Sequence, residues 1–111
     1  MYKEVRLYVP SCEQTGERLA GVQVEVAVTR VVRAFSRWYG GATTTTGNGL
    51  YVGDDERVHS EPVTIVASYA KDVVVDKHRG ELVYLAECIR NEANQECVLV
   101  TIRPVDEVLF I

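Results

Sequence analysis

The stretch GVQVEVAVTRVVRAFSRWYGG, residues 21–41, decides the fold of this chain. Its first eight residues alternate and are rich in β-branched valine, as in a half-buried strand. Read further, Val24, Val28, Val31, Phe35 and Trp38 follow steps of four, three, four and three, which is one face of a helix. Gly40-Gly41 then supplies a C-terminal stop. The helical register persists over four turns, so the spacing predicts a helix over about 21–38. The alternative is a strand at 22–28 followed by a shorter helix.

On the N-terminal side, YKEVRLYV (2–9) alternates cleanly, with Val5, Leu7 and Val9 opposed to Glu4, Arg6 and Tyr8. Pro10 ends that strand, and residues 11–21 read as a polar loop. On the C-terminal side, ATTTTGNGLYV (42–52) reads as a strand, with Gly47-Asn48-Gly49 marking a bulge, a bend or a close backbone approach. Gly53-Asp54-Asp55-Glu56 is a hairpin turn. A second strand follows within VHSEPVTIVASY, placing Val63, Ile65 and Ala67 inward and Thr64, Val66 and Ser68 on the open face. Pro62 sets a break or an edge near its start. Asp72 or Asp76 is the candidate N-cap of a second helix, in which Leu82, Leu85, Ala86, Ile89 and Ala93 recur at helical spacing before Asn94. ECVLVTIR is a strand whose Val98, Val100 and Ile102 share a face; Pro104 to Glu107 make a turn; VLFI closes the chain as a short apolar strand.

The order β-α-β-β-α-β predicts an α+β, ferredoxin-like sandwich: two helices on one face of a four-stranded antiparallel sheet, with an extra C-terminal strand. With 111 residues and 47% apolar content, the composition fits a single domain over 1–111. Sixteen acidic residues against twelve basic ones, a net charge of −4, argue against a general nucleic-acid binder. No apolar run approaches the roughly 18 residues of a membrane span, and the start reads as a strand and not as a signal peptide. Cys12, Cys88 and Cys97 show no CxxC spacing and read as reduced thiols of a cytoplasmic protein. With His59 and His78 they form no metal-ligand spacing, so neither a metal nor a cofactor is expected.

The helices leave the other sheet face bare. Its expected lining from the first and last strands is Glu4, Arg6, Tyr8, Cys97, Leu99, Thr101 and Arg103, a semi-polar surface suited to a ligand or a second subunit. The terminal VLFI, an apolar edge, favours a homodimer or higher oligomer.

Four groups carry candidate chemistry. Arg30, Arg33 and Arg37 stand three and four apart on the first helix, where guanidinium forks suit phosphate. The plain alternative is a solvated face with cations near the helix C-terminus. The segment from Trp38 to Tyr51 offers Tyr39 or Tyr51 for stacking on a ring, and Thr44 and Asn48 for hydrogen bonding, among glycines that let a ligand approach. As structure alone it is a helix stop and a bulged strand. His59 and Glu61 share a strand face and form a possible acid–base pair, against the plainer reading of a surface histidine. Gln95 with Glu96, between the second helix and the last strand, offers an amide and a carboxylate to a ligand edge, or satisfies backbone groups in a turn.

In chain order, Phe35-x4-Gly40-Gly41-Ala42-Thr43, Gly47-x-Gly49-x-Tyr51, Glu61 before an apolar strand, and Asn94-Gln95-Glu96-Cys97-Val98 resemble a group of small uncharacterised proteins from phages and mobile elements. The resemblance spans about residues 5–111. It implies an accessory protein in a bacterial cytoplasm, a setting in which small proteins oppose host defence by sequestering or degrading nucleotide signals. The expected function is a non-enzymatic, self-associating binder of a nucleotide-derived anionic ligand. Arg30, Arg33 and Arg37 would hold phosphate, Tyr39 or Tyr51 would stack, and Thr44, Asn48 and Gln95 would hydrogen-bond. The alternatives are a small phosphodiesterase or ring nuclease using His59 with Glu61, and an interaction module that inhibits a host protein.

Overall fold

A computed structural model of the chain describes residues 1–12, 19–95 and 97–111. Strand β1 (Tyr2–Pro10) alternates as its sequence requires, with Val5, Leu7 and Val9 buried on one side. Residues 21–39 form helix α1 (Gly21–Tyr39), so the valine-rich start makes no strand. The cause lies in the far half of the segment. Val31 and Phe35 are wholly buried, with Val28, Ala34 and Trp38 packed against the same core, and burying this stripe outweighs the β preference of single valines. At the helix start the Gln23 side chain accepts the Ala20 N–H at 2.9 Å. At its end Gly40 adopts φ 92°, and its N–H donates to the Ser36 carbonyl at 3.0 Å.

Strands β2 (Thr43–Val52) and β3 (Val58–Lys71) form a long antiparallel hairpin, registered from Thr43↔Ala67 to Val52↔Val58. β3 pairs in turn with β1, from Pro10↔Val63 to Tyr2↔Lys71. β4 (Val100–Val105) pairs with the other side of β1, giving the order β2-β3-β1-β4. Helices α2 (Asp72–Lys77) and α3 (Arg79–Glu92) add Val75, Leu82, Leu85 and Ile89 to the core made by α1, β1 and β3. The fold is therefore α+β and ferredoxin-like.

Several expectations are corrected. Val66, Ser68 and Ala70 of β3 face the core, while Val63, Ile65 and Ala67 lie on the open face, the reverse of the expected phase. Both phases of β3 carry apolar residues, and register with β1 decides between them: Leu7 opposes Val66, and the Ser68 hydroxyl is satisfied inside by the Gly41 carbonyl. The second helix is two helices joined at His78, and Lys71, not Asp72 or Asp76, occupies the N-cap, because α2 follows β3 with no loop between them. Pro104 lies inside β4, opposite Lys3, and makes no turn; an edge strand tolerates the missing N–H. The terminal VLFI is not a strand. Phe110 instead rests on the Tyr2 ring, with centroids 5.5 Å apart. Glu96 and residues 13–18 lie outside the described residues.

The hairpin outruns the sheet. Beyond Val63, β3 pairs with no strand but β2 among the described residues, so residues 48–62 project as a two-stranded ribbon. Pro62 sits there, where no β1 partner needs its missing N–H. No helix among the described residues is long and apolar enough to cross a membrane.

The left-handed Gly40 carries a test. Gly40→Ala should lower unfolding stability by about 1 kcal/mol in urea titration, from backbone strain alone, since a Cβ there meets nothing within 4 Å. Gly41→Ala, equally open but without positive φ, should change little.

Candidate functional site

The sheet face opposite the helices is continuous from β4 to the tip of the ribbon. At its centre lies a carboxylate that the alternation of β1 puts on the supposedly solvated side. Glu4 is only 1% exposed. Arg103 Nε donates to its Oε1 at 2.7 Å, the Tyr69 hydroxyl to its Oε2 at 2.7 Å, and Arg6 Nε lies 2.9 Å from Oε1. The register puts these groups together: Glu4 stands opposite Arg103 on one side and Tyr69 on the other. The hydrogen bond from Arg103 is the largest influence on the carboxyl, and with Tyr69 and Arg6 it overcomes burial and lowers the pKa from 4.5 to about 2.

Along the ribbon the same face carries Gly47, Gly49 and Tyr51 from β2, opposite Val63, Glu61 and His59 from β3. Tyr51 and His59 stack, with centroids 5.2 Å apart and planes 19° from parallel. His59 Nε2 meets both oxygens of Asp55, at 2.9 and 3.1 Å. That hydrogen bond holds the Asp55 carboxyl below its usual range, helped by the Arg57 backbone N–H. Gly53 makes the arrangement possible: a Cβ there would stand 2.7 Å from His59 Nε2. The His59 partner is thus Asp55 in the turn. Glu61 follows His59 on the same face, as strand spacing requires. The turn, with Asp54 and Glu56 beside Asp55, makes this end of the ribbon acidic.

The other sequence candidates are spread over the surface. Arg30, Arg33 and Arg37 do share one shallow depression of about 570 Å³ on α1, but Arg30 is tied to Glu92 of α3 at 2.6 Å. Tyr39 lines a different cavity of about 490 Å³, with Trp38, Thr43 and Phe110. Its hydroxyl is buried without a partner among the described residues, and burial pushes its pKa up to about 12. Thr44 and Asn48 lie on the helix side of β2, opposite in phase to Tyr51. The Gln95 side chain donates to the Cys12 carbonyl and so ties the α3–β4 loop to the end of β1. Sequence reasoning missed Asp55, whose position four residues before His59 across a turn was the available signal. It also treated Glu4 as an ordinary surface carboxylate. His78 stacks on Trp38 at 5.7 Å and bonds Glu81 at 2.8 Å, which makes it part of the helix packing. Among the described residues no group of three His, Cys, Asp or Glu side chains converges as a metal site.

No protein-family model matches the chain, and no curated protein does. Solved structures do resemble it. A phage SAM lyase in complex with S-methyl-5'-thioadenosine is similar over 92% of this chain and 80% of that chain, at 16% identity and a TM-score of 0.63. The divalent ion tolerance protein CutA1 from Ehrlichia chaffeensis is similar over 97% of this chain and 84% of that one, at 8% identity and a TM-score of 0.60. The periplasmic divalent cation tolerance protein CutA from Archaeoglobus fulgidus is similar over 98% and 88%, at 7% identity and a TM-score of 0.57. At these identities the likeness is one of fold.

The Glu4 cluster makes stability depend on acid. A carboxyl near 2 in the folded chain and near 4.5 when free stabilises the fold fully above about pH 4.5, and that support disappears as pH falls towards 2. The contribution is up to about 3 kcal/mol. Urea midpoints measured from pH 6 to pH 2.5 should fall steeply for the wild type, and that part of the slope should vanish in Glu4→Gln.

Proposed function

We propose that the protein, as an assembly of identical chains, binds an adenosyl sulfonium of the S-adenosylmethionine class on the Tyr51–His59 face of its ribbon and cleaves it as a lyase. The observation that carries this reading is the flat Tyr51–His59 pair, stacked at 5.2 Å on an exposed strand face beside two glycines. It offers a platform for a purine ring, and Gly47 and Gly49 leave the backbone approachable. Asp55 and Glu61 place negative charge beside that platform, which suits a sulfonium or an ammonium group. The ligand is therefore a cation, unlike the anion expected from the arginines of α1. The structural likeness to a phage SAM lyase holding S-methyl-5'-thioadenosine, over 92% of this chain, supports the same ligand class.

The chemistry asks little acid–base work of the protein. A sulfonium leaves as a neutral thioether: an oxygen of the substrate's own α-carboxylate bonds to the γ-carbon as the bond from that carbon to sulfur breaks, the electron pair of the broken bond returns to sulfur, and the amino-acid part departs as a lactone. No proton has to be delivered to the leaving group. Tyr51 and His59 hold the adenosine, Asp55 fixes the His59 ring, and Glu61 faces the cationic part. In a phage or mobile-element protein acting in a bacterial cytoplasm, such a reaction would deplete the methyl donor on which host methylation depends.

The ribbon supports the self-association in this reading. A two-stranded hairpin is marginal in water by itself, and this one exposes Leu50, Val52 and Val58. The depression at Arg30, Arg33 and Arg37 supports a second reading, capture of an anionic nucleotide without turnover.

Incubation with S-adenosylmethionine, followed by cold acid precipitation and mass spectrometry against a protein-free control, tests the reading. S-methyl-5'-thioadenosine should accumulate, and Tyr51→Ala should raise KM at least about fivefold, the loss expected for one stacking contact. S-adenosylmethionine retained unchanged on the protein indicates sequestration. The absence of both retention and turnover sinks the reading, and tight binding of a cyclic nucleotide that Arg33→Glu abolishes would put the second in its place.

A further inference from the structure

The ribbon has two faces of opposite character. Tyr51, His59 and Glu61 lie on one; Leu50, Val52 and Val58 lie together on the other, because Leu50 opposes Ser60 and Val52 opposes Val58. These three apolar side chains are 69, 68 and 69% exposed, at the end of an arm that no third strand supports among the described residues. The far side of the molecule offers their complement. β4 is an edge strand, and between it and α3 runs an open groove of about 530 Å³. Leu82, Val83, Ala86, Val98, Val100 and Ile102 wall it, while Arg79, Arg90 and Glu87 stand along it. The three charged groups sum to +1, whereas the turn Asp54-Asp55-Glu56-Arg57 sums to −2. β2 and β4 are opposite ends of the sheet order, so the ribbon and the groove of one chain cannot meet.

We propose that the apolar face of the ribbon of one copy docks into the α3–β4 groove of the next, with its acidic turn against Arg79 and Arg90. The proposal rests on the self-association included in the reading above. The contact is head-to-tail, using one arm and one groove per copy, and a ring closes it without leaving either exposed. It covers the Leu50 side of the ribbon and leaves the Tyr51–His59 side open. The ligand platform of each copy is therefore held rigid by its neighbour.

Light scattering on the eluting full-length protein reads the assembly against the 12.4 kDa chain. The wild type should elute above monomer mass. The pair Arg79→Glu with Arg90→Glu should weaken association at least about tenfold, and adding Asp54→Lys with Glu56→Lys should restore it. Asp55 is spared because it holds His59. Chains carrying Leu50→Cys, mixed with chains carrying Val83→Cys, both in a Cys97→Ser background, should cross-link through a short bismaleimide. An assembly indifferent to the arginine variants and without that cross-link overturns the docking and leaves self-association standing. A loss that the reversed charges fail to restore also overturns it. A monomeric wild type overturns docking and self-association together, while the turnover assay still decides the ligand reading on its own.

Discussion

Everything in this chain hangs on two side chains of α1. Val31 and Phe35 are completely buried over β1 and β3, and their contact fixes helix, sheet and topology at once. Had residues 21–28 paired as a strand, Phe35 would have lost its place in the core it shares with Leu7 and Val66. Burial of large apolar side chains, each worth roughly 1.5–3 kcal/mol, is enough to override a run of valines with strand preference. Gly40 then turns the chain sharply enough for β2 to begin at Thr43.

The fold was legible wherever one periodicity dominated. β1 has a single apolar phase, and α1 repeats its stripe for four turns; both were readable residue by residue. β3 was not, because Val63, Ile65 and Ala67 compete with Val66 and Ala70. Only the pairing with β1, a contact remote in sequence, selects the inner set. The half-buried Val63 and Ile65 then add apolar surface to the open face. The terminal VLFI shows the opposite failure. Its composition suits a strand, but β4 already occupies the edge of the sheet beside β1, and Phe110 finds the Tyr2 ring instead.

Less of the candidate site was legible. Strand spacing correctly placed His59 and Glu61 on one face, and Tyr51 joins them because register sets it opposite His59. Asp55 was hidden because a turn, not a strand or helix period, brings it to the ring. Glu4 was hidden for a different reason. A charged residue on the outward phase of a strand looks solvated, and only Arg103, ninety-nine residues away, turns it into a buried ion pair. The arginines of α1 showed the reverse: their spacing was read correctly, but it could not reveal that Glu92 engages Arg30.

The length of β3 has a mechanical consequence. One unbroken strand of fourteen residues carries Glu61 on the ribbon and Ser68 in the core, then passes into α2 at Asp72 with no hinge between. The part of it that β1 braces, from Val63 to Lys71, has no joint. Once a neighbouring chain or a ligand stiffens the ribbon, a torque applied there is delivered about 30 Å away, where Val75 seats the first turns of α2.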